Sequence, residues 1–131
     1  MVPKDLYYTR EHEWMKLVGD VATIGITDYA QRALGDITYV ELPEVGAEVH
    51  QGEEFAVVES AKAASDVFAP VSGTVSEVNP DLAEHPELIN QDPYGKGWLC
   101  RVTGVASDQL RTLLTPEEYE KLIAEAEDEA P

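Results

Sequence analysis

The sequence predicts a small, mainly β fold, a sandwich or barrel carrying a few short helices. Three observations predict it. Residues 44–79 consist of short β-branched runs parted by Gly46, Gly52, Pro70 and Gly73, the punctuation of closely spaced strands. Helix signals are brief and capped, one near residues 27–35 and one near the C-terminus. A chain of 131 residues, 44% of them hydrophobic, has the size and apolar stock of one modest core, so a single domain over residues 1–131 is expected.

The elements follow in order. In WMKLV, alternation sends Trp14, Lys16 and Val18 to one side and Met15 and Leu17 to the other. Gly19-Asp20 is a turn pair and VATIGI at 21–26 resumes as a strand, which makes a hairpin. Thr27 suits the N-cap of a short helix, Asp28 suits its positive end, and Gly35 can take the left-handed conformation that stops it. Residues 37–42 read as a strand with Ile37, Tyr39 and Glu41 on one face and Thr38, Val40 and Leu42 on the other, ended by Pro43. FAVVES and SDVFAP are strands on either side of AKAA. PDLAEHPELIN reads as a helical turn followed by loop, DPYGKG as loop, and GWLCRVTG as a final strand. Thr115, Pro116 and Glu118 compose a capping box for a helix over about 115–127. Tyr119, Leu122, Ile123 and Ala126 form its apolar stripe, expected to dock on the sheet. The terminal AEDEAP is expected to fray.

Composition excludes several function classes. Nine Lys and Arg against 26 Asp and Glu give a formal charge of −17, which repels a phosphate backbone, so nucleic acid is not an expected partner. The same field either solvates the surface or steers the chain toward basic patches on other proteins. The lone Cys100 cannot form an internal disulfide and reads as an apolar filler in a strand. His12, His50 and His85 have no metal-site spacing. No apolar run reaches the length of a membrane span, and the N-terminus has neither a signal core nor a transit segment; a cytoplasmic protein without a membrane partner is expected.

Lys62, in VVESAKAASD, is set apart by this scarcity of cations. An isolated lysine is ordinarily surface decoration. Here it falls on a turn between two strands, with Ala61, Ala63 and Ala64 leaving room around it, and that is what a modified carrier lysine requires. Acylation would remove its charge beside Glu59 and Asp66.

At this point the chain resembles the H-protein family of glycine cleavage, a family of lipoyl carriers. The resemblance runs through YYTREHEW at 7–14, VATIGITDYAQRALGDI at 21–37, VELPEVG at 40–46, VESAKAASDVFAPVSGTVSEVN at 58–79 and LINQDPYGKGW at 88–98. It implies a β-sandwich or hybrid barrel of the lipoyl/biotinyl-carrier type, with its core over about 20–103. It implies lipoic acid in amide linkage to Lys62. Ala61 stands where the family usually has valine. The chain would be no enzyme: its lipoyl group would take an aminomethyl group from glycine decarboxylase, present it to an aminomethyltransferase, and be reoxidised by dihydrolipoyl dehydrogenase. Those three enzymes and the lipoylating enzymes are the implied partners of a monomeric carrier. Glu13 and Asp66 match family positions that contact the loaded arm, although as residues alone they read equally as solvated surface acids. A relay that donates lipoyl groups to other complexes is the alternative role.

Overall fold

The computed structural model describes residues 2–128. Its strands are β1 (Tyr7–Tyr8), β2 (Glu13–Val18), β3 (Val21–Ile26), β4 (Ile37–Glu41), β5 (Glu48–Val49), β6 (Glu54–Ser60), β7 (Ala64–Phe68), β8 (Gly73–Val78) and β9 (Cys100–Thr103). Helices are α1 (Asp28–Leu34), α2 (Leu88–Gln91) and α3 (Pro116–Asp128), with 3₁₀ turns at Pro80–Ala83 and Ser107–Thr112. The strands form a six-stranded sheet in the order β1-β2-β3-β9-β8-β5 and a three-stranded sheet in the order β4-β6-β7, every pairing antiparallel. The mainly β expectation holds.

The β2–β3 hairpin forms in the expected register, Val18 opposite Val21 across the Gly19-Asp20 turn. Both faces of β2 are covered at its start. Met15 enters a core with Ile24, Val75, Cys100 and Val102, while Trp14 packs on the opposite side with Val2, Leu6, Tyr8 and Tyr119. Gly25, directly across from Trp14, has to be glycine, because a Cβ there would lie 2.6 Å from the indole. Trp14 Nε1 donates to the Pro93 carbonyl at 3.0 Å, tying this hairpin to the loop after α2.

A second core, with Ile26, Ile37, Val58, Val67, Leu82 and Ile89, lies behind the three-stranded sheet. Strict alternation along β4 is overturned there. A register shift between Ile37 and Tyr39 inserts one residue, so Ile37, Val40 and Leu42 face this core while Thr38, Tyr39 and Glu41 are outside it. A bulge of this kind changes the phase of every side chain beyond it. The loop expected through residue 90 is also corrected, since Leu88–Gln91 closes a single helical turn that buries Ile89.

α3 forms on the predicted capping box. Thr115 N donates to Glu118 Oε1 at 2.9 Å and Glu118 N donates to Thr115 Oγ1 at 3.1 Å. Tyr119 is buried and stacks on Tyr8 at 4.6 Å, with Leu122 and Ile123 packed alongside. The helix continues to Asp128, so the start of AEDEAP is helical instead of frayed; residues 129–131 lie outside the described residues.

Candidate functional site

Lys62 stands at the tip of the β6–β7 hairpin, where the sequence placed it. Glu59 pairs with Ala64, and Ser60 N donates to the Ala63 carbonyl at 2.7 Å, leaving Ala61 and Lys62 as the outermost residues. Neither adopts a left-handed conformation. Such a tip needs another support, and Ser60 supplies it: its Oγ accepts from the amides of Lys62 at 3.3 Å and Ala63 at 3.1 Å. Ala61, Lys62, Ala63 and Ala64 are all exposed, and the Lys62 side chain takes part in none of the ion pairs among the described residues. The result is a fixed backbone presenting an open amine.

Behind the tip lies the end of α1. Gly35 has φ 83° and ψ −155°, a conformation that side-chain-bearing residues avoid, and its Cα faces the Lys62 stem: a Cβ built there would sit 3.5 Å from Lys62 Cε. Ala61 N donates to the Asp36 carbonyl at 3.4 Å, joining the tip to this segment.

From the tip, β7 carries Ala64, Asp66 and Phe68 along its outward face, opposite Glu59, Val57 and Glu54 of β6. Asp66 is exposed, four residues from Lys62, a strand distance of about 13 Å. β7 is a sheet edge, and the amide of Phe68 at its end donates to Glu13 Oε2 at 3.1 Å. The structure thus brings Glu13 to the end of the strand that bears Asp66. It also corrects the reading of Glu13 as a solvated surface acid. Glu13 is 2% exposed, its Oε1 accepts from Thr9 Oγ1, and burial pushes its carboxyl up from the ordinary glutamate range. Glu13 and Phe68 line a cleft of about 460 Å³ together with Thr9, Arg10, Gln51 and Leu113. A buried carboxylate on the wall of an open cleft suits a small cationic group, whose charge would offset the cost of burial.

Sequence reasoning missed Thr9, Phe68 and Ser60. Only Ser60, a small hydroxyl residue at a hairpin entrance, left a legible signal. Thr9 and Phe68 act on Glu13 through a turn in which His12 takes φ 71° and a long-range contact, neither of which composition or periodicity reveals. Cys100 is buried, and burial pushes its thiol up to about 12, so it is a packing residue and no nucleophile at neutral pH. Among the described residues, no group of three or more His, Cys, Asp or Glu is arranged to hold a metal ion, and no helix is long and apolar enough to cross a membrane.

Comparison with known proteins places these features. The family model of the Glycine cleavage H-protein matches residues 6–126. A glycine cleavage system H protein from Carboxydothermus hydrogenoformans is 58% identical over 125 residues, covering 95% of this chain and 96% of the relative. One from Rubrobacter xylanophilus is 55% identical over 126 residues, covering 96% and 98%. Among solved structures, the crystal structure of a glycine cleavage system H protein from Mycobacterium marinum aligns with a TM-score of 0.85 at 42% identity, covering 94% of this chain and 99% of that one.

Proposed function

The chain belongs to the glycine cleavage H-protein family, and from that premise we propose that Lys62 is its lipoyl attachment point, the whole chain acting as one carrier domain. Its function is that of a lipoyl-carrying shuttle in glycine cleavage, a carrier subunit and not a catalyst. The relatives from Carboxydothermus hydrogenoformans and Rubrobacter xylanophilus are both named for glycine cleavage, which favours this role over the relay.

One observation carries the assignment of Lys62: an exposed lysine at the tip of a tied two-residue turn that leads into the strand whose outward face runs past Asp66 to the Glu13 cleft. The residues present fit a lipoyl amide. The amine is open, its neighbours are small, and the turn has a fixed shape for a modifying enzyme to recognise. When bound, the group supplies a disulfide that opens to accept a one-carbon amine and is later reoxidised. The residues of this chain then hold and shelter the cargo. Glu13, fixed by Thr9 and the Phe68 amide, receives the ammonium charge at the cleft; Asp66 lies along the way; the cleft walls keep water from the labile carbon. Glycine decarboxylase, the aminomethyltransferase, dihydrolipoyl dehydrogenase and a lipoylating enzyme are the partners of this reading, and a monomer is the form that visits them.

The test is intact-protein mass after expression in cells with active lipoylation, followed by glycine–bicarbonate exchange with the decarboxylase. The expected result is the added mass of one lipoyl amide, mapped to Lys62, with exchange activity; both vanish in Lys62→Arg. Modification retained in Lys62→Arg would refute the assignment.

A further inference from the structure

The LINQDPYGKGW stretch does more than bury Ile89 and accept from Trp14 through the Pro93 carbonyl. Its residues act as a clamp on α1. Tyr94 Oη accepts from Asp28 N at the start of that helix, at 3.1 Å. Asn90 holds the other end with three bonds: Nδ2 donates to Gln31 Oε1 at 2.8 Å and to the Gly35 carbonyl at 2.9 Å, and Oδ1 accepts from Ile37 N at 2.9 Å. Both of its polar atoms are committed, and they bracket Asp36 from either side. Asp36 is the residue whose carbonyl accepts from Ala61 N, and Gly35 is the residue under the Lys62 stem. An unbroken path of contacts therefore runs from Asn90 through Gly35 and Asp36 to the lysine turn.

We propose that Asn90 is a positioning residue for modification of Lys62, fixing the α1–β4 segment as the seat on which the β6–β7 tip rests in the shape read by the lipoylating enzyme. The tip depends on that seat. It has no glycine and no left-handed residue, and beyond its own Ser60 bonds it is tied to this segment by the ladder pair Ser60–Ile37 and by Ala61 N donating to the Asp36 carbonyl. The reaction served is amide formation: the unprotonated Nζ displaces AMP from a lipoyl adenylate made with ATP, one C–N bond forms, one C–O bond breaks, a proton is released, and no oxidation state changes. Asn90 touches none of the reacting atoms. Its effect belongs in recognition of the turn, hence in KM, because Nζ itself swings on a four-carbon stem.

The proposal rests on the assignment of Lys62 above, and the experiment separates the two. Full-length unmodified wild type, Asn90→Ala, Asn90→Asp and a control, Val75→Ala, are lipoylated by an ATP-dependent lipoate ligase, and hydrogen exchange at the Ala61 amide is followed in parallel. Val75 lies in the other core, away from the turn. Asn90→Asp keeps the acceptor for Ile37 N and loses both donated bonds, so it carries the test if the alanine variant does not fold. In both Asn90 variants KM rises on the order of tenfold, kcat stays within roughly twofold, and the Ala61 amide exchanges faster. Val75→Ala melts at lower temperature with KM unchanged. Wild-type KM in the Asn90 variants, or an equal rise in Val75→Ala, would overturn the positioning role while leaving Lys62 as the carrier residue. Wild type that the ligase does not modify at Lys62 would overturn the carrier assignment itself.

Discussion

The Glu13 carboxyl is raised above the ordinary value of 4.5 by burial, against the opposing hydrogen bonds from Thr9 and the Phe68 amide. Between that value and its raised folded pKa, the folded chain keeps a proton that the unfolded chain has released. The contribution of Glu13 to stability therefore falls as pH rises through this window, and the cost of the buried charge is fully present above it. His12 runs the other way: burial lowers its imidazole from 6.5, so its contribution falls as pH drops from 6.5 toward the lowered value. Comparing wild type with Glu13→Gln isolates the first effect. The melting temperature of the variant relative to wild type should climb as pH is raised from 4.5, measured by thermal denaturation in a series of buffers; a difference flat in pH would mean that Glu13 carries no burial cost. The same substitution removes the charged partner of the proposed cargo. A hydrogen bond to a charged group contributes about 1.5–3 kcal/mol, so release of the carried amine to water should quicken by roughly ten- to a hundredfold. That release is measurable as ammonia liberated from loaded carrier without its partner enzymes.

At the scale of elements, Tyr119 is the buried anchor of α3, with Leu122 and Ile123 packed alongside it. Tyr119 stacks on Tyr8, and its Oη meets His12 Nδ1 at 2.8 Å and Thr27 Oγ1 at 2.6 Å, so α3, the turn before β2 and the N-cap of α1 converge on one atom. Tyr119→Phe keeps the stack and removes both bonds. The expected loss is about 1–3 kcal/mol, several degrees in Tm by calorimetry, with α2 and the lysine hairpin intact by hydrogen exchange. The elements whose causes are local were legible in the sequence: the Gly19-Asp20 hairpin, the Thr27 cap, the Thr115–Glu118 box and the lysine turn each depend on residues a few positions apart. The β4 bulge was not legible, because the inserted residue is defined only against its partner β6. Neither was the α2 turn, whose Ile89 is drawn into the second core, nor the reach of Asn90 to Gln31, Gly35 and Ile37 across more than fifty residues of chain. Of the candidate site, the place of Lys62 on an exposed turn was legible, whereas the burial of Glu13 needed the Thr9 and Phe68 contacts that only the folded chain makes.

For the whole molecule the governing quantity is charge. The formal net charge is −17, and the proposed acylation of Lys62 would make it one unit more negative. The acids reach the outward side of the three-stranded sheet, which Glu41, Glu59 and Asp66 share with the exposed Tyr39 and Ala64 and the half-buried Val57. None of these three acids belongs to an ion pair among the described residues. A field of this sign acts over the screening length, about 30 Å at 0.01 M salt and about 8 Å at 0.15 M, so it accelerates encounter with a basic surface in dilute buffer and fades in salt. Carriers that visit several enzymes in turn need fast arrival and fast departure, and long-range attraction with little buried contact meets both demands. The KM of glycine decarboxylase for this carrier should therefore rise several-fold between those ionic strengths with kcat unchanged. A Glu41→Gln, Glu59→Gln variant should flatten that dependence. Neutralising two acids on another face, Asp20→Asn and Asp108→Asn, should leave more of the slope in place, because on the proposed assignment of Lys62 it is that side which meets the enzyme. Steady-state exchange rates for the three proteins at four or five salt concentrations decide it, and equal slopes in all three would mean that the acids serve solubility and no partner.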